Sequence, residues 1–224
     1  MKSQVRGGTR WKRFAVVMVP SLAATAAIGV GLAQGALAAS FAISGQEFKV
    51  TTDRLKGDGF VQYGSVAEGH TLEGKPFGAP VAVSGFDHAE ITNMCQSVVT
   101  PKIPFIGDVT LRLTAGTEKN KPVVAEGIYL DVSSLKADAE FEQIDIGIAA
   151  GVAGKAADGK TDLPGRPGIQ AGTKANPHGF AQRAKTATLT GVEQKAWATT
   201  AATFKLPNLN LSLHRGTDKE CFTG

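Results

Sequence analysis

The chain has little of what catalytic and metal sites are built from. It carries only two cysteines and four histidines. The histidines (His70, His88, His178, His214) are scattered, with no His-x-x-x-His pair and no cysteine pair at ligand spacing, so neither a metal nor a cofactor is expected. No Gly-x-Ser-x-Gly pentapeptide occurs, and the strand–helix alternation of an α/β hydrolase is missing. Glycine is abundant, yet no glycine-rich loop leads into a helix, so nothing here cradles a phosphate. Ser84, Asp87 and His88 are close in sequence, but neighbours on a strand or turn point apart, and a polar turn is the simpler reading. No catalytic residue is assigned.

Acidic residues are absent from the start of the chain, since none precedes Glu47. The formal net charge is +4, and it becomes −1 once the five unopposed basic residues Lys2, Arg6, Arg10, Lys12 and Arg13 are set aside. A nucleic-acid binder needs a basic face to displace counterions from phosphates. Nothing of that kind remains after the first forty residues, and nucleic acid is excluded as a partner.

Those first residues have a layout of their own. A basic start is followed by an uncharged run, Phe14–Ala39, that ends in Ala36-Leu37-Ala38-Ala39, with Ala36 and Ala38 forming an Ala-x-Ala cleavage site. The run is long enough to span a membrane, but Pro20, Gly29, Gly31 and Gly35 weaken it as an anchor. Residues 1–38 are therefore a cleaved signal peptide, or an uncleaved anchor that keeps the protein in contact with the membrane. Either way the remainder, 39–224, is expected outside the cytoplasm, extracellular or at the cell surface, as one domain large enough to bury its own core.

That remainder reads as mainly β. Val109–Thr114 alternates strictly, and Leu209, Leu211 and Leu213 alternate with polar neighbours. Further strands are expected at Phe41–Thr52, Phe60–Tyr63, Val81–Val83, Ala89–Val99, Val123–Val132, Ala139–Ile148, Ala187–Val192, Lys195–Phe204 and Leu206–Leu213. A turn is expected at Leu55–Gly59 and a loop at Gly69–Pro80. From 149 to 179 the pattern stops, which predicts a long mobile loop that is either a solvated surface segment or a lid or partner contact. Helical spacing is hard to find anywhere after Ser40. The fold class is an antiparallel β-sandwich or an open sheet with a groove.

Three phrases echo one another at intervals near fifty residues: Ala89-Glu90-Ile91-Thr92-Asn93-Met94, Ala139-Glu140-Phe141-Glu142-Gln143-Ile144 and Ala187-Thr188-Leu189-Thr190-Gly191-Val192. Half-buried strands use a small alphabet, so chance accounts for such an echo as readily as a repeat does. A true repeat would mean β units sharing one apolar face.

In an exported chain two thiols form one disulfide more often than a reactive thiol–histidine pair, so Cys95 and Cys221 are expected to be bridged. The bridge would close a very long loop, and the loop-entropy account gives it roughly 4–5 kcal/mol.

The phrases Gly59-Phe60-Val61-Gln62-Tyr63, Ala89–Ser97, Ala196–Ala201 and Glu220-Cys221-Phe222 together resemble an uncharacterised family of exported actinobacterial proteins. The resemblance covers essentially the whole chain. It implies a domain of unknown function, some of whose members carry a "cholesterol esterase" label, and it supplies no catalytic or ligand residue.

The expectation is a non-enzymatic envelope or cell-surface β domain whose apolar faces hold a lipid-like or other apolar ligand. A secreted lipid-ester hydrolase and a passive surface component that binds an envelope protein are its rivals.

Overall fold

The computed structural model describes residues 43–223, all within one compact unit, Ser40–Gly224. The expected signal peptide or anchor, 1–38, with Ala36, Ala38 and the Phe14–Ala39 run, lies outside the described residues. Within them the strands are β1 (Ile43–Ser44), β2 (Phe48–His70), β3 (Pro76–Thr92), β4 (Met94–Ile103), β5 (Gly107–Ala115), β6 (Val123–Glu142), β7 (Asp145–Ala149), β8 (Phe180–Thr200), β9 (Thr203–Lys205) and β10 (Asn210–Arg215). The chain is mainly β, and its pairings are antiparallel except for the two-residue β1–β2 contact.

Four long strands organise the rest. They pair in the order β2–β3–β6–β8, and β8 pairs back onto β2, so the sheet closes on itself as a ring. Leu55 of β2 leads through Ile91 of β3 to Val123 of β6, and in the other direction through Leu189 of β8 to Ala139 of β6. The two routes meet the same strand far apart, and a stagger of that size requires strongly tilted, coiled strands. On one flank β4 joins the start of β2, and β5 and β10 extend the sheet outward.

Along these strands the ladder continues while the inward-facing side changes. On β6 the interior side chains are Val123 and Ala125, then Ile128 and Leu130, with the switch at Gly127 (φ 56°). The same three-residue step occurs at Asn93 (φ 53°) between Ile91 and Met94, at Gln143 (φ 52°) between Phe141 and Ile144, and at Gly191 (φ 59°) between Leu189 and Val192. On β2 the change from Leu55 to Phe60 is made at Gly59 (φ 65°). By register Gly59 lies across from Asp87 on β3 and Lys185 on β8, and Gly127 also lies across from Asp87, so these switches form a crease across several strands. A left-handed residue is tolerated where glycine or an amide side chain stands, and it turns the next side chain to the other face. The fifth positions of the three echoing phrases are Asn93, Gln143 and Gly191, so their resemblance has a structural meaning: each marks a crease.

The crease also corrects the element boundaries. Leu55–Gly59 is no turn but the middle of the 23-residue β2. The expected loop at Gly69–Pro80 narrows to Thr71–Lys75, and Val123–Val132 continues into Ala139–Glu142 as one strand. Pairing on both sides of these segments holds the ladder straight through positions where local chemistry alone would turn it.

Two apolar clusters result. The inner one packs Leu55, Phe60, Phe86, Ile128, Leu130 and Leu189 inside the ring. The outer one gathers Val61, Tyr63, Val83 and Ala181 on the opposite face. Segment 149–179 has no strand of its own beyond a Lys155–Asp162 bridge, and it covers that outer face with Ala150, Ala153, Ile169 and Ala175. Arg183 moors it, giving Nε to Asp145 at 2.9 Å and one NH group to the carbonyls of Val152, Ala153 and Lys155 at 3.3, 3.2 and 2.7 Å. Gln170 N–H donates to the Tyr63 hydroxyl at 2.7 Å, and the Tyr129 hydroxyl donates to the Gly168 carbonyl at 3.3 Å.

Candidate functional site

The interior of the ring is not completely filled. A cleft of about 150 Å³ opens beside the second half of β6, lined by Leu55 and Phe60 of β2, Phe86 of β3, Leu130, Leu135 and Phe141 of β6, and Leu189 and Val192 of β8. These side chains converge because the strands carrying them are mutual neighbours: Leu55 pairs with Leu189, and Leu189 with Ala139. Leu135 and Ala139 are exposed at the mouth, whereas Phe86 and Leu130 are buried at the base.

Four polar side chains belong to the cleft or its wall. Gln182, Gln62 and Ser84 form one row across β8, β2 and β3. Gln182 Nε2 donates to Gln62 Oε1 at 2.6 Å, and Gln62 Nε2 donates to Ser84 Oγ at 2.9 Å. Ser84 is 5 % exposed and lines the cleft, so its hydroxyl accepts from Gln62 and has a proton left to give. Gln194 is 6 % exposed, lines the cleft and forms no side-chain hydrogen bond among the described residues. Its amide atoms reach the open space of the cleft: among the described residues the buried side-chain polar atom without a partner is Ser65 Oγ. None of the lining residues carries a titratable group.

No local pattern marks Gln62, Ser84, Gln182 and Gln194 as a set. Gln62 stands between Val61 and Tyr63 and reads as the outward residue of an alternating strand. Only the crease at Gly59 turns Gln62 inward and sends Val61 and Tyr63 to the outer cluster.

The serine–aspartate–histidine group tested for hydrolysis is not assembled. Ser84 is bonded to Gln62, His88 Nδ1 meets Glu126 Oε1 at 2.9 Å, and no hydrogen bond joins the three among the described residues. The titratable groups with raised values sit on the outer face: burial pushes up the phenols of Tyr63 and Tyr129 and the carboxyl of Asp131. Two other hollows of about 380 Å³ each are more open to solvent, one under segment 149–179 beside Lys155, Asp162 and Arg166, the other between β1, β4 and β8 beside Phe48, Val98 and Trp197.

Cys95 and Cys221 are bonded, with Cα atoms 5.9 Å apart and 126 positions between them in sequence. The bond fixes the C-terminal tail across β4 and β5. There Cys221 N–H donates to Ser97 Oγ at 3.0 Å, Thr110 donates to the Gly216 carbonyl at 2.6 Å, and Lys49 pairs with Glu220 at 2.6 Å. Disulfides of this kind form and persist in oxidising compartments.

No curated protein and no solved structure matches the chain. Residues 44–222, which take in the whole ring, the cleft and both cysteines, match the Family of unknown function (DUF6230), and the chain belongs to that family.

Proposed function

We propose that the protein is an exported, non-catalytic β domain of the cell envelope that binds an apolar ligand in the cleft of its strand ring. The observation that supports this reading is the cleft itself: an apolar hollow in a closed β ring, with buried polar groups at its wall and without a charged lining residue. Mouths of closed β structures are preferred ligand sites. The volume narrows the occupant. A hollow of about 150 Å³ takes a molecule about the size of benzene. A whole lipid would not fit, while a small apolar molecule or the end of an acyl chain would.

The test is direct. Organic extracts of the full chain, recovered from the host that exports it, are expected to contain an apolar compound that is missing when Ala139→Trp fills the mouth. An empty extract, together with unmoved methyl signals of Leu55, Leu130 and Leu189 during titration with toluene, overturns the reading.

A further inference from the structure

We infer that the cleft selects a small uncharged molecule carrying one hydroxyl or carbonyl group on an apolar body, held by Gln194 at the rim or Ser84 at the base. This rests on the apolar-ligand reading and adds the head-group chemistry to it. Three observations carry it. Gln194 is more than nine-tenths buried, lines the cleft and has no hydrogen-bond partner among the described residues, so a donor and an acceptor are presented to the hollow. Ser84, equally buried, accepts from Gln62 and keeps its own proton free, and Gln182 in turn fixes Gln62. No lysine, arginine or histidine lines the cleft, so an ionised carboxylate or phosphate would be stripped of water with no counter-charge.

By register Ser84 stands across from Leu130 at the buried base, whereas Gln194 stands across from Leu135 at the exposed rim, so the cleft offers a polar group at each end of its apolar wall. An isostere without the polar group leaves the Gln194 amide unpaired, and one neutral hydrogen bond is worth about tenfold in affinity.

The experiment titrates the full chain with phenol, toluene and benzoate, three probes of similar size, and follows the methyl signals of Leu55, Leu130, Leu135, Leu189 and Val192. Phenol is expected to bind about tenfold more tightly than toluene, and benzoate more weakly than either. Gln194→Leu is expected to bring phenol and toluene within about threefold while toluene still binds, and Ser84→Ala to narrow the preference in the same direction. Toluene equal to or tighter than phenol, benzoate binding tightest, or a preference unchanged in both variants overturns the head-group assignment and leaves the apolar cleft standing. If no probe moves the methyl signals, the cleft reading itself is overturned along with it. The wild-type comparison needs no variant to fold.

Discussion

Gly59 carries more of the fold than its size suggests. It takes φ 65°, and the carbonyl oxygen of Gly165 occupies the place where a Cβ would stand. Backbone cannot move aside as a flexible side chain can, so Gly59→Ala is strained twice, in its own dihedral and against the covering segment. The change is expected to cost roughly 2–3 kcal/mol, read as a lower denaturant midpoint. Asp131 makes the opposite case. Burial holds its carboxyl above the usual carboxylate range. Below its unfolded value the group is neutral in both states, and as pH rises through the folded value its ionisation inside the protein costs stability. Asp131→Asn is therefore expected to raise the melting temperature at pH 7 and to leave it unchanged at pH 3. An equal gain at both values would mean that the carboxyl's charge has no part in it.

At the scale of elements, two attachments hold segments that have no strand partner of their own. The tail after β10 is tied down by Cys95–Cys221 and by Lys49, which bonds both Glu220 and the Phe222 carbonyl, the latter at 3.1 Å. Replacing both cysteines by serine is expected to lower stability by roughly 4–5 kcal/mol, because so long a loop is freed in the unfolded chain. Thermal melts of the double variant against the oxidised protein check this. Segment 149–179 depends on Arg183, which reaches three of its carbonyls and Asp145 together. Arg183→Leu leaves those acceptors without their donor and is expected to cost about 2–3 kcal/mol. Limited proteolysis should then cut first between Lys155 and Lys174, and an unchanged cleavage pattern would count against the mooring role.

At the scale of the molecule, closure decides behaviour. β8 is the strand that completes the ring, pairing with β2 along one edge and with β6 along the other. Phe48 pairs with Ala196, so almost the whole domain must be made before the first of these ladders can form. Topologies dominated by such distant pairings fold in milliseconds to seconds rather than microseconds. A chain ending before Phe180 is expected to lose the cooperative melt entirely, with no near-ultraviolet circular dichroism. A cooperative transition in that fragment would show that the remaining strands close without β8.

By itself the sequence determined the fold class, the single disulfide and the strands with strict alternation, such as Val109–Thr114 within β5, because period-two patterning and thiol pairing are written locally or nearly so. The cleft was not legible. Its polar wall depends on which face Gln62 and Gln194 present, and that depends on creases at Gly59 and Gly191. Glycine before a polar–apolar run reads as a turn until a partner strand on each side shows that the ladder continues. Register and closure join residues more than a hundred positions apart, as Gln62 joins Gln182, and no local pattern carries that information. Tertiary pairing alone decided that the sheet is a ring and that its interior has a mouth.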